Sequence, residues 1–214
     1  LGQATLLPVA PADVTIGGAL GGYTDVSAAA PIQSVEGNFN GTTVSVLGVG
    51  SLGGAAISLN PDDDQTITTG GSIVIKDLRV DLVNLDVYAN IVGGNGVGAI
   101  NNLKLWRIGQ ISGPTSFAVE DVIAQGGSIT VKNTLSGLTI YDEAFNVFAQ
   151  ANGLIDILGR PALQSVNSDV NGYGTIESAI TVTVQKAVIP EPSTYVLMGL
   201  GLVGMGFLRR RAAK

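Results

Sequence analysis

The chain has 214 residues, enough for one sizeable domain or two small ones. It contains neither cysteine nor histidine, which removes disulfide frameworks, thiolate nucleophiles, zinc ribbons, and the commonest general base and transition-metal ligand. Charge is sparse and uneven: seven basic residues stand against 17 acidic ones through Pro192, net −10, while Arg209, Arg210, Arg211 and Lys214 add +4 after it. So acidic a surface repels phosphate backbones and argues against nucleic acid as a partner.

The opening "LGQATLLPVAPADV" reads either as the end of a secretory signal, with Gly2-Gln3-Ala4 as a small-residue cleavage site, or as an ordinary frayed terminus. Residues 1–35 are rich in Ala, Gly and Pro without periodicity and are expected to form a loosely ordered lead-in. From about Ser34 the texture becomes β. Val44 and Val46 alternate with Thr43 and Ser45, the period of a half-buried strand. In "GGSIVIKDLRVDL", Ile73 and Ile75 share one phase, and Leu78, Val80 and Leu82 the other. The one-residue change after Asp77 predicts a bulge or a break. "LDVYANIVGGNGVGAINNLKLWRI" predicts a strand, a turn at Gly-Gly-Asn-Gly, and a returning strand.

An internal echo follows. "GGSIVIKD" at Gly70–Asp77 returns as "GGSITVKN" at Gly126–Asn133, with Leu82 and Leu138 equally spaced after the two copies. A duplicated β unit starting near 70 and 126 would favour two half-sheets packed face to face, although eight residues can agree by chance. In "YDEAFNVFAQANG", Asp142 can cap and Glu143 sits in the first turn. Phe145, Phe148 and Ala149 share a face, and Asn152-Gly153 supplies a stop. A short amphipathic helix is expected from about Glu143 to Ala151. Ile180, Val182 and Val184 then alternate with Thr181, Thr183 and Gln185 in a last strand. The predicted fold is mainly β, an antiparallel sandwich-like domain over residues 36–187 with one short helix, followed by a C-terminal hydrophobic helix.

The motifs that could carry chemistry have plainer readings. Gly48-Val49-Gly50-Ser51-Leu52-Gly53 matches a dinucleotide-binding pattern and follows a strand, but too few residues precede Pro61 for the helix that must hold the pyrophosphate. Gly199–Gly204 repeats the pattern inside an apolar run. Asp62, Asp63 and Asp64 lie in a turn after Asn60-Pro61; adjacent carboxylates point apart and lack a calcium-loop spacing, so a solvated acidic turn is the better reading. Glu120-Asp121 and Asp142-Glu143 are the available carboxylate pairs for glycoside hydrolysis. Each is sequence-adjacent, and Trp106 is the only Trp that could serve a sugar platform. Asn40-Gly41-Thr42 fits the glycosylation sequon, a match frequent by chance. No catalytic, cofactor-binding or metal-ligating residues are assigned.

The tail is more specific. Tyr195–Leu208 is an apolar run of 14 residues, covering roughly 21 Å as a helix against a hydrocarbon core of ~30 Å. By the positive-inside rule, Arg209, Arg210 and Arg211 form a cytoplasmic cluster, which puts residues 1–192 across the membrane. The order of parts, Pro190-Glu191-Pro192, then Ser193-Thr194, then the apolar run, then the arginines, resembles the PEP-CTERM sorting signal of Gram-negative bacteria. The resemblance is confined to residues 188–214. It implies an exported precursor held transiently in the inner membrane, cleaved near the triplet by an exosortase-type enzyme, and delivered to the cell surface or matrix. Pro190, Glu191 and Pro192 are then substrate residues. It further implies an association with exopolysaccharide and biofilm. The leading expectation is a non-enzymatic surface or matrix protein without cofactor, with extracellular polysaccharide as a candidate partner. A polysaccharide- or calcium-binding β-sandwich module is the alternative, and a polysaccharide-modifying enzyme the third reading.

Overall fold

The structure is a computed structural model and describes residues 4–19, 22–61, 69–154, 159–169 and 172–185. In chain order its strands are β1 (Ala4–Val9), β2 (Asp13–Ala19), β3 (Gly22–Ala29), β4 (Ile32–Phe39), β5 (Thr43–Ser51), β6 (Gly54–Leu59) and β7 (Gly71–Asp81). These are followed by β8 (Asp86–Gly93), β9 (Gly98–Arg107), β10 (Gln110–Ser112), β11 (Ser116–Ala118), β12 (Ser128–Ser136), β13 (Thr139–Ile140) and β14 (Ile176–Thr183). Helices α1 (Val119–Ala124), α2 (Asp142–Ala151) and α3 (Gly159–Ser165) interrupt them. Every pairing among the described strands is antiparallel.

The architecture turns on β7. Along a strand, side chains alternate faces, so residues an odd number apart oppose each other. Yet Ile73 and Val80 are both buried in the core. An extra residue reconciles them: Asp77 sits at φ 55°, and the β7–β8 ladder shifts register between Lys76 and Arg79. The phase change read from the sequence is therefore a bulge. It also marks a change of partner. Residues 71–76 of β7 pair with β6, whereas Arg79–Asp81 pair with β5. At the corner between those strands, the Gly53 N–H donates to Asp77 Oδ1 at 2.9 Å, and the Asp77 N–H donates to the Gly53 carbonyl at 2.9 Å.

The large sheet thus forks. One arm adds β6 and β1; the other adds β5, flanked by β4 and β11. Beyond β7 the sheet continues through β8, β9 and β13, nine strands in all among the described residues. A second sheet runs β10-β12-β14, and β2-β3 form a separate hairpin. Residues 1–35, expected to be a loosely ordered lead-in, instead hold β1, β2, β3 and the start of β4 from Ala4 onward. All of β4 is exposed, so no alternation betrays it; its backbone ladder to β5 holds it in place.

The fork decides what covers the sheet. On the Ile73 side, α2 lays Ala144, Phe145 and Phe148 against Ile91, Leu103 and Leu105. Its observed span agrees with the sequence reading to within a residue. However, Tyr141 occupies the cap position and Asp142 begins the helix, and no side chain caps it. On the Val80 side, Leu135 of the small sheet and Leu138, just after β12, close the core, and Ile180 packs with Val46 and Phe117. Sheet and helix therefore share one face. The two copies of the echo lie on opposite sides of this core, as β7 and β12. Helices α1 and α3 carry no strong apolar periodicity, and the sequence reading does not foresee them.

Among the described residues no helix is long and apolar enough to cross a membrane. The hydrophobic helix expected in the tail lies outside the described residues.

A matched pair of substitutions tests the fork. Gly41 (φ 97°) at the β4–β5 hairpin has open space around it, whereas a Cβ on Gly53 (φ 84°) would lie within 2.9 Å of backbone atoms of Val9, Pro11 and Ala12. Gly41→Ala should cost about 1 kcal/mol from its left-handed backbone alone. Gly53→Ala should cost about 3 kcal/mol or more, because the corner must also move. Urea unfolding reads both, and equal losses would contradict the role given to the corner.

Candidate functional site

The densest cluster of ionisable side chains among the described residues joins β8, β9 and the start of α2. The β7–β8 turn is closed by Asp81, whose Oδ1 accepts the N–H groups of Val83 at 3.0 Å and Asn84 at 2.9 Å. The Asn84 side chain and backbone bonds lead the effects that hold the Asp81 carboxyl below its ordinary value. That turn delivers Asp86 to the first position of β8 with only 3% of its surface exposed.

Asp86 is nonetheless well partnered. Lys104 Nζ lies 2.8 Å from Oδ2, and the Tyr141 hydroxyl donates to Oδ1 at 2.5 Å. The Lys104 ammonium also stands 4.5 Å from the centroid of the Tyr141 ring. Burial pushes the Asp86 carboxyl up, but the hydrogen bonds from Lys104 and Tyr141 outweigh it and hold the group below the ordinary 3.8. The bond to Asp86 raises Lys104 above 10.5; burial, then the same carboxylate, raises Tyr141 above 10.0.

Each group is thereby held more firmly in the form it has at neutral pH. General acid–base work wants the reverse, a group whose pKa lies near the operating pH. The chemistry this cluster supports is a clamp that fastens the entry of α2 to two strands of the sheet. Lys104 stands between buried Leu103 and Leu105, and that interruption is the one hint in the sequence. Asp86 and Tyr141 meet only once the fold brings three separate segments together.

The residues singled out from the sequence are dispersed. Glu120 and Asp121 are exposed in the first turn of α1, and Asp142 and Glu143 are exposed in the first turn of α2. Gly48 and Gly50 lie within β5, and strand β6, not a helix, follows. Their lack of side chains serves close packing: a Cβ on Gly50 would lie 2.5 Å from Ser34 Oγ. Trp106 packs beside the cores of both halves, its ring 6.5 Å from that of Tyr173. Asn40 turns the β4–β5 hairpin, its Oδ1 accepting the N–H groups of Thr42 and Thr43. Asp62–Asp64, Pro190–Pro192 and Arg209–Arg211 lie outside the described residues.

Fold and cluster define an antiparallel, mainly β protein whose chief polar network fastens its helix to its sheet. Comparison with known proteins adds the specific element: the chain carries a PEP-CTERM protein-sorting motif, whose family model matches residues 188–211. That motif implies an exported protein, anchored as a precursor in the membrane and processed by an exosortase. No curated protein and no solved structure matches the chain.

The clamp makes acid stability testable. Because the Asp86 pKa is depressed on folding, its contribution is full above about 3.8 and is lost as pH falls through the lower folded value. The contributions of Lys104 and Tyr141, both raised, hold below 10.5 and 10.0 and fade as pH rises through their folded values. Tyr141→Phe removes a donor to a buried carboxylate and should cost about 1–2 kcal/mol at pH 7. It should also move the acid unfolding midpoint to higher pH, read by circular dichroism. An unchanged midpoint would count against the clamp.

Proposed function

We propose that the protein is a non-enzymatic component of the cell surface or extracellular matrix, delivered by its tail and associated with exopolysaccharide and biofilm. The observation that carries this reading is the sorting motif at residues 188–211. In this reading the body is a sandwich-like cargo domain, and the tail is a single hydrophobic helix used as an address. Pro190, Glu191 and Pro192 form the recognition triplet, and Arg209–Arg211 hold the cytoplasmic side during processing. The clamp supports a passive role, because its three ionisable groups are committed to one another.

A polysaccharide-binding module is the second reading, favoured by the outer face of the small sheet. There Ser128 Oγ lies 3.1 Å from Thr183 Oγ1, and Thr130 Oγ1 lies 2.8 Å from Thr181 Oγ1. These exposed, paired hydroxyls form a row of donors and acceptors suited to sugar hydroxyls.

Intact-mass measurement on protein recovered from its native host tests the sorting role. A product ending near Pro192 is expected, and Glu191→Ala should leave the full-length chain in the membrane fraction. A wild-type protein recovered only at full length would make the tail a plain anchor. Retention of Thr130→Val/Thr181→Val on host polysaccharide as strong as wild type would remove the second reading.

A further inference from the structure

We infer that the open groove between β11 and α1 holds residues 186–189 of this same chain, and so shields the approach to the sorting triplet from the processing enzyme. The docking stands by itself; only the shielding rests on the sorting role proposed above. The groove has a volume of about 320 Å³. Phe117 and Ala118 of β11, Asp121, Val122 and Ala124 of α1, and Ile129 of β12 line it.

The body delivers its C-terminal end to this place. The Val184 N–H donates to the Gly127 carbonyl at 2.8 Å, and the Gly127 N–H donates to the Val122 carbonyl of α1 at 2.9 Å. Val184 also packs against the cluster that contains Phe117 and Val122, two residues of the groove. Four residues beyond Val184 span about 13 Å when extended, which puts Val188 within reach of it.

The sequence carries the period of β14 onward. Ile180, Val182 and Val184 share the phase that packs on this cluster. Lys186 and Val188 continue that phase, and Pro190 then removes the N–H that a longer ladder would need. Val188 is therefore the apolar side chain for the groove.

Charge fits the same arrangement. Glu120 and Asp121 are exposed in the first turn of α1, and neither has a cationic partner among the described residues. Lys186 is the one basic residue between Arg160 and Arg209, and it stands two residues before Val188. Pro190 follows two residues after Val188. A segment held this way keeps the triplet against the body, and it must let go before an enzyme at the membrane can grip it.

The test uses the full chain in lipid nanodiscs and exploits its lack of cysteine, so that an engineered pair holds the only thiols. Ala124→Cys/Val188→Cys is expected to close an intramolecular disulfide about tenfold faster than Ser128→Cys/Val188→Cys. Ser128 is the fair control, because it lies opposite Thr183 at the chain's exit but is exposed outside the groove. On the Ala124 pair, Asp121→Lys should slow closure about two- to fivefold, and adding Lys186→Asp should restore it. In the native host, Asp121→Lys alone should be processed about two- to fivefold faster than wild type.

Equal closure of the two cysteine pairs, or a loss that the charge swap does not restore, would overturn the docking. Disulfide-linked dimers in place of the intramolecular product would overturn it too, by assigning the groove to a second copy. Unchanged processing of Asp121→Lys would overturn the shielding. A wild-type chain that is never processed would remove the sorting role and the shielding with it, and the cross-links would still decide the docking.

Discussion

The reciprocal pair of hydrogen bonds between Asp77 and Gly53 is the constraint on which the rest of the structure depends. A strand can pair with one neighbour on each edge, yet β7 must serve both β5 and β6 on the same edge. It does so by switching partners at a bulge, and a bulge leaves backbone groups outside the ladder that must be satisfied locally. Gly53 supplies both the donor and the acceptor, and Asp77 tolerates the left-handed backbone better than a branched residue would. From that point the core changes phase, so that one half of the sheet is covered by a helix and the other half by a second sheet.

The two halves are stabilised in different ways. The helical side relies on Phe145 and Phe148 for burial and on Asp86, Lys104 and Tyr141 for attachment. The charged cluster works because each partner reinforces the ionisation state of the next, which removes any group from the pH range where proton transfer is useful. The other side relies on aliphatic contacts between sheets and leaves a space between them. Buried polar atoms without a partner remain on both sides, Asn152 Oδ1 at the end of α2 and Asn133 Oδ1 in β12.

Much of this was legible residue by residue. The hairpin of β8 and β9 follows from alternating runs around Gly-Gly-Asn-Gly, and α2 follows from Phe145 and Phe148 on one helical face. The bulge at Asp77 announced itself as a change of phase. β4 did not, because a strand exposed on both faces has no apolar period to detect. The charged cluster was equally silent, since Asp86, Lys104 and Tyr141 belong to separate segments and no local pattern links them. Asn133 looked like an ordinary polar residue in a strand; its burial depends on β12 keeping a regular ladder where β7 does not.

By itself the sequence determined the β character of the body, the position of α2, the break in β7 and the sorting motif of the tail. All of these are written in short-range terms: the period of apolar residues, the chemistry of turns, and a tail read in linear order by another molecule. The tertiary structure alone decided the forked sheet, the partners of Asp86 and the inward aspect of Asn133. Those depend on which backbone edges meet and which carboxylates and amides lose contact with water, and both are set by long-range pairing that no local pattern encodes.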